Sequence, residues 1–239
     1  MEPSIVRRYF IRYVFEFIAI VMGITASFIL EDYRENEELK TLSEDLTLNL
    51  MGEVSEIENY IQEREIAFKG DKELLDVLRS DTLDKGALSK TPSRYKTVLF
   101  NYRGFHPPVA FYHSMINDGK IRYLESKELK KLLDEIHNVH FLYITANIED
   151  EAVSQRKIID YFQFNYPNLI IQSESKQDNA DYVEQLKTIV EKDDVLKALL
   201  FQKALAMTEK IIGFDKYKAS IAQLKKVLQG QVDAKLAAL

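Results

Sequence analysis

An apolar run near the N-terminus constrains this chain more than any other feature. Residues 9–30 are predominantly apolar, and Arg12 and Glu16 are the only charged residues among these 22. About 20 such residues suffice for a helix to cross the hydrocarbon core of a bilayer. Tyr9 and Tyr13 lie where aromatic side chains favour the membrane–water interface. The run therefore predicts a transmembrane helix over residues 9–30.

Two other interpretations of this run stay open. One is a cleaved signal peptide, for which Thr25 and Ser27 form only a poor version of the usual small-residue cleavage site. The other is a buried helix of a soluble protein. A retained anchor is favoured, because cleavage after Ser27 would leave the apolar residues 28–30 at the new N-terminus.

Basic residues flank the run unequally. Arg7 and Arg8 precede it and Arg12 lies in its first turn, whereas Arg34 and Lys40 closely follow it. An excess of basic residues keeps a flank in the cytoplasm. We therefore predict a single-pass protein of the cytoplasmic (inner) membrane. Residues 1–8 are expected inside, and a domain formed by residues 31–239 is expected outside the cytoplasm.

Composition bounds the class of this domain. The chain has 239 residues, 46% of them hydrophobic and 29% charged, which is ordinary for a folded protein. Its net charge of −6 argues against nucleic-acid binding, which needs clustered basic residues. The absence of cysteine excludes disulfides, thiolate catalysis and cysteine-based zinc sites. Scarce Gly and Pro leave long Pro-free blocks, which favour helices.

The spacing of apolar residues predicts an all-α fold, a transmembrane helix followed by a helical bundle. After the span, one apolar stripe recurs at helical spacing, at Leu39, Leu42, Leu46, Leu50, Val54, Ile57 and Ile61. The acidic residues off the stripe, Glu53 among them, are predicted to face solvent. The stripe fits a packed bundle helix better than the alternative, a coiled-coil stalk, because its heptads are not strict.

Helix boundaries follow from the usual signals. Lys69-Gly70-Asp71 predicts the end of the first helix and the cap of a short one reaching residue 79. Ser126 is the predicted N-cap of a helix that begins a Pro- and Gly-free block. The polar residues 173–181 predict a linker and a sub-boundary of the domain. A last helix is expected over about 195–228, with a break near Gly213.

Four residues of the span share one helical face: Glu16, Ala19, Gly23 and Ser27. The last three form a small-xxx-small ladder, which lets membrane helices approach closely. An acidic residue within a span is by default a functional site. The alternative is that Glu16, one turn inside the boundary, simply pairs with Arg12 at i−4. The pattern predicts association in the bilayer, with a second copy or with another membrane protein.

An aromatic stretch in the middle of the chain predicts a recognition surface. Its candidate residues are Phe105, His106, Phe111, Tyr112 and His113. Aromatic and histidine side chains beside the rigid Pro107-Pro108 turn make good anchors for a partner or ligand. The alternative is that the aromatic residues fill the core of the bundle. A helix is expected over 109–117, with Gly119 as its left-handed end.

The anchor resembles that of an uncharacterised bacterial family of single-span membrane proteins. The family's span carries an acid followed seven residues later by Gly-Ile, and Glu16, Gly23 and Ile24 match that spacing. Tyr33 stands where the family has Trp. A second, looser likeness covers residues 118–129. The resemblance implies a single span with a helical soluble domain and brings no known activity.

No pattern of catalytic or cofactor-binding residues is present. There is no nucleophile elbow, P-loop or dinucleotide fingerprint. His137 and His140 have a spacing able to bind metal, but a hydrogen-bonded pair is the favoured interpretation. We expect no enzyme, cofactor or metal. The predicted function is a membrane-tethered interaction or scaffold protein. A ligand-binding extracytoplasmic sensor is the alternative, and a membrane-anchored hydrolase ranks last because no constellation supports it.

Overall fold

The regular secondary structure in the described part of the chain is helical. The computed structural model describes residues 3–80, 92–124, 126–173 and 180–237. The α-helices are α1 (Pro3–Arg79), α2 (Pro92–Phe100), α3 (Ala110–Asn117), α4 (Lys127–Asp134), α5 (Phe141–Asn165), α6 (Pro167–Ser173), α7 (Ala180–Lys192) and α8 (Asp194–Leu236). A 3-10 turn, Lys120–Tyr123, precedes α4, and a π-helical turn, Glu135–His140, joins α4 to α5. The all-α prediction is confirmed.

Helix α1 is a single unbroken helix of 77 residues. At 1.5 Å per residue it is roughly 115 Å long. The predicted break at Gly70 is wrong, since this residue lies inside the helix. Asp71 does not cap a new helix either; its carboxylate forms an ion pair with Arg103. Gly70 is tolerated because packing of the flanking turns outweighs the cost of about 1 kcal/mol that glycine carries in a helix.

Helix α1 has two parts with opposite surroundings. Residues 13–41, which we call the arm, are exposed throughout, whereas from residue 42 onward one face of the helix is buried. The arm holds an apolar window with a mean hydropathy of 2.1, and none of that window is buried. By length and composition α1 could cross a membrane, the one described helix that meets this criterion.

Helix α8 is the spine of the domain. It runs antiparallel to α1. Lys218 Nζ donates to Glu65 Oε2 at 2.5 Å, and Lys225 Nζ, farther along α8, donates to Glu58 Oε2, which lies nearer the N-terminus of α1. The predicted break at Gly213 is wrong, because α8 is continuous there. A Cβ on Gly213 would lie 2.6 Å from Cδ1 of Tyr143. Glycine therefore lets α5 approach α8 closely.

Two apolar clusters fill the domain, one at the arm end and one at the far end. The first contains, among others, Leu50, Ile57, Phe105, Leu133, Phe214 and Tyr217. The second contains, among others, Leu75, Leu99, Phe162, Tyr182, Leu186 and Leu200. Both draw side chains from α1 and α8, so these two helices span the whole core. Charged and polar side chains occupy the junction between the clusters.

Several predicted caps are confirmed. Ser126 Oγ accepts a hydrogen bond from the Leu129 backbone N–H at 3.1 Å and so caps α4. Helix α3 occupies the range predicted from Val109 to Asn117, less its first residue, and Gly119 follows with φ of 65°. The predicted linker at 173–181 falls largely on residues 174–179, which lie outside the described residues.

Candidate association surfaces and the buried polar layer

The four predicted association residues of the span lie on one exposed face of the arm. Glu16, Ala19, Gly23 and Ser27 are all exposed. A Cβ on Gly23 would meet no atom within 4 Å. The Ser27 hydroxyl donates to the Gly23 carbonyl oxygen at 2.9 Å, so its polarity is satisfied within the helix. The face is therefore flat around Gly23. The side chain of Arg12, the alternative partner of Glu16, is not among the side chains that the structure describes.

The predicted recognition residues are divided between core and surface. Phe105 is buried, and its ring centroid lies 5.1 Å from that of Tyr217. Tyr112 is also buried, and Phe111 packs against the first apolar cluster. His106 and His113 are exposed. The three aromatic residues thus contribute to packing, and a recognition role for the two histidines stays a prediction.

A carboxylate from α1 caps helix α3. Glu53 Oε2 accepts the backbone N–H of Phe111 at 2.5 Å, and Glu53 Oε1 accepts that of Tyr112 at 3.1 Å. The N-cap residue of α3, Val109, supplies no side-chain hydrogen bond of its own. Burial raises the pKa of Glu53 despite these bonds. The prediction that Glu53 faces solvent is wrong, because its carboxylate accepts hydrogen bonds from backbone N–H groups at the start of α3.

Replacing Glu53 by alanine should lower the free energy of unfolding by about 1–3 kcal/mol, the range for leaving buried donors unpaired. Urea unfolding of the full-length protein in detergent, followed by circular dichroism, measures this. Glu56→Ala, an exposed acid one turn away, is the control and should change stability by less than about 0.5 kcal/mol. Equal effects of the two substitutions would contradict the capping role.

His137 and His140, the pair with metal-binding spacing, have different partners in the structure. The His137 ring stacks on Tyr112 with centroids 3.5 Å apart and planes 9° from parallel. Burial lowers the pKa of His137 to about 4. His140 Nε2 instead lies 3.2 Å from Glu135 Oε1. Within the described ranges, no group of three or more His, Asp or Glu side chains could hold a metal ion.

An ion pair is buried where the two apolar clusters meet. Glu151 on α5 is 2% exposed and Lys210 on α8 is 1% exposed. The Lys210 ammonium donates to Glu151 Oε2. It also lies 4.3 Å from the centroid of the Phe68 ring, a cation–π contact with α1. One lysine therefore connects the three long helices.

Lys203 is a second buried lysine in the same layer, and it is fully inaccessible to solvent. Its Nζ donates to the carbonyl oxygens of Val98 and Asn101 and to Oε1 of Gln155. The two carbonyls belong to the last turn of α2 and the residue after it, where helical carbonyls lack partners. Burial lowers the pKa of Lys203 to about 8. The lysine thus caps α2 from another helix.

The polar layer formed by Glu151, Gln155, Lys203 and Lys210 is closed to solvent. Lys203 and Lys210 have no access to a substrate, so they cannot act as nucleophiles or proton carriers for one. Sequence reasoning missed the layer, although a signal was present. Both lysines fall on the apolar stripe of α8, in phase with Leu200, Met207 and Phe214.

Two shallow depressions lie at the far end of the domain. Their volumes are about 380 and 430 Å³. Helix α7, the start of α8 and Tyr166 line the first, and α7 lines the second. Asp193 at the edge of the first accepts hydrogen bonds from the hydroxyls of Tyr161 and Tyr166, and from Leu196 N at the start of α8. Its carboxylate is thereby engaged in structure. Neither depression is lined by a residue of the predicted recognition surface.

The chain was compared with known proteins at the level of families, sequences and structures. No family model, no curated protein and no solved structure matches it. The resemblance of the anchor to an uncharacterised membrane family stays a prediction.

Proposed function

We propose that this protein is a membrane-tethered interaction protein. Its arm would anchor it in the cytoplasmic (inner) membrane and associate there with another membrane helix. The observation that carries the proposal is the continuity of α1, which joins an exposed apolar segment to the core of the domain without a break. A contact made within the bilayer would therefore fix the position of the whole domain.

Exposure of the arm supports the membrane location. Every residue from 13 to 30 is exposed, including Phe15, Phe17 and Phe28. Soluble proteins rarely expose contiguous apolar surface beyond a few hundred Å². A bilayer removes such a surface from water. The basic residues at 7, 8 and 12 support a cytoplasmic N-terminus, and the domain would then lie outside the cytoplasm.

Stiffness of the arm supports a scaffold role. Residues 31–41 connect the span to the domain as exposed helix, roughly 16 Å long. This segment contains neither glycine nor proline. Sharp kinks in helices are almost always found at such residues, at π-bulges or at inserted groups. The domain is thus held at a set height from the membrane.

The competing sensor function is less well supported. Its pocket was expected near Phe105, His106, Phe111, Tyr112 and His113. Phe105 and Tyr112 are instead buried in the first apolar cluster, so their side chains are not exposed for contact with a ligand. We therefore favour association over ligand binding.

Replacing Gly23 by leucine should weaken association in the membrane about ten-fold, because contacts between membrane helices contribute about 1–2 kcal/mol and depend on close approach. Sedimentation of the full-length protein in detergent, with a search for co-purifying membrane proteins, measures the change. Thr25→Leu places the same leucine side chain on the opposite face and should leave association intact. A wild-type protein that is monomeric and free of partners would overturn the proposal.

A further inference from the structure

Helices α5 and α8 and the turn between α4 and α5 carry exposed apolar side chains. Each is between 40% and 56% exposed, and they are Val139, Leu142, Tyr143, Val153, Leu205 and Ile212. We call this set the α5–α8 face. On α8, Leu205 and Ile212 are seven residues apart and share one side of the helix. On α5, the opposite side carries the buried Ile144, Ile148 and Ile158.

The members on the two helices are neighbours. The Tyr143 hydroxyl donates to Glu209 Oε2 at 2.6 Å, which ties the outer edge of α5 to that of α8. The Tyr143 ring also lies against Gly213, the residue next to Ile212. The Glu209 carboxylate is held by this hydrogen bond at the edge of α8. The face is therefore a strip of apolar side chains along two packed helices, interrupted by exposed charged residues such as Asp150 and Lys157.

The orientation of the strip limits which kind of molecule can bind to it. Helix α8 is antiparallel to α1, as the Glu65–Lys218 and Glu58–Lys225 pairs show. Helix α5 is antiparallel to α8, so the strip runs along the direction of α1. If the arm crosses a bilayer, the strip stands upright from it. It then faces a neighbouring molecule in the same membrane rather than lipid.

The size of the strip fits contact between two copies. Six side chains that are about half exposed offer roughly 500 Å² of apolar surface, and two copies would bury roughly 1,000 Å². About 1,000 Å² is the lower limit for a specific interface. Tethering in one membrane raises the effective concentration of the copies and aligns them. A modest interface is thereby sufficient.

We propose that the α5–α8 face is an interface between two copies of this chain, related by a two-fold axis parallel to α1. In this arrangement Leu205 and Ile212 of one copy meet the same residues of the other. The inference rests on the proposed anchoring of the arm in a membrane. It adds a second contact to the one proposed within the bilayer. The face of α1 that carries Glu16 points away from the domain, because Gly52, ten helical turns farther along, is exposed on that side.

Crosslinking in native membranes tests the inference. The chain has no cysteine, so one substitution introduces a single thiol. Ile212→Cys, treated with a short bis-maleimide, should give a dimer at several times the yield of Ile116→Cys, an equally exposed control on α3. Arg34→Cys reports on the span contact, because residue 34 lies five helical turns from Glu16 on the same side. Leu205→Lys should lower the yield at position 212 about ten-fold, with unchanged thermal unfolding.

The outcomes separate the two contacts. Dimers at both 212 and 34 support both. A dimer at 212 alone supports the α5–α8 face and shows that the span contact is not made between two copies of this chain. A dimer at 34 alone overturns the face and leaves the span contact standing. Yields no higher than that of Ile116→Cys overturn the α5–α8 face and any span contact between two copies. A crosslink from 212 to a different polypeptide overturns the choice of a second copy as the occupant.

Discussion

Replacing Lys210 by methionine is expected to lower the free energy of unfolding by about 3–5 kcal/mol, the range for breaking one partner of a buried ion pair. Glu151 would keep a buried charge without the ammonium that now neutralises it. The cation–π contact with Phe68 would be lost as well. Methionine keeps most of the side-chain volume, so the loss reports on charge rather than on a cavity. Urea unfolding in detergent, followed by circular dichroism, measures it.

Two further variants make this result specific. The double variant Glu151→Leu with Lys210→Met removes both charges and should recover most of the stability, since apolar replacements of buried pairs are often neutral. Lys225→Met breaks an exposed pair with Glu58, whose atoms lie 2.6 Å apart, and should cost less than about 1 kcal/mol. If Lys210→Met were no more harmful than Lys225→Met, the buried pair would not hold the three helices together.

The second large effect is expected at Lys203. Lys203→Met removes the donor for two backbone carbonyls and for Oε1 of Gln155, and leaving buried acceptors unpaired costs about 1–3 kcal/mol for each group. We expect a total loss of at least about 3 kcal/mol, with α2 released from α8. Hydrogen exchange of the α2 amides would show faster exchange in the variant. Lys216→Met, at an exposed position on α8, is the control and should leave α2 protected.

The same residue gives a pH dependence with a definite sign. Burial lowers the pKa of Lys203 to about 8 in the folded protein, whereas an unfolded lysine has a pKa of about 10.4. Between these values the unfolded state binds more protons than the folded state. Stability from this group therefore rises with pH across that interval. Wild-type protein should gain stability relative to Lys203→Met as the pH increases from about 8 to about 10. Parallel pH profiles for the two proteins would contradict the assignment.

Periodicity predicted the elements well because long helices repeat their pattern many times. The stripe from Leu46 to Ile61 is buried as expected. The last helix begins one residue before its predicted start but continues eight residues past its predicted end, to Leu236. Local signals were less dependable. Gly70 and Gly213 resemble helix ends in sequence, yet both lie inside helices. At Gly213 the reason is the Tyr143 ring, a contact between helices that no local pattern contains.

The site was less predictable than the fold. The apolar stripe of α8 repeats at spacings of four and three residues through Leu200, Met207 and Phe214, with Lys203 and Lys210 in the same register. A charge in register with a buried stripe is a readable signal of a polar layer. Its partners are not readable in the same way, because Glu151 and Gln155 lie about fifty residues away. Likewise, no sequence pattern around Glu53 indicates that its carboxylate caps a helix 58 residues farther along.

An unbroken α1 also fixes the rotational phase between span and domain. Each residue inserted between positions 31 and 41 would turn the domain by about 100° around the helix axis and raise it by about 1.5 Å. The number of residues between the span and the domain therefore sets the direction in which the α5–α8 face points. No side chain of the arm sets it. Substitutions in this segment should be well tolerated, whereas single insertions should not. Insertion of eighteen residues, about five full turns, would restore the direction at a greater height.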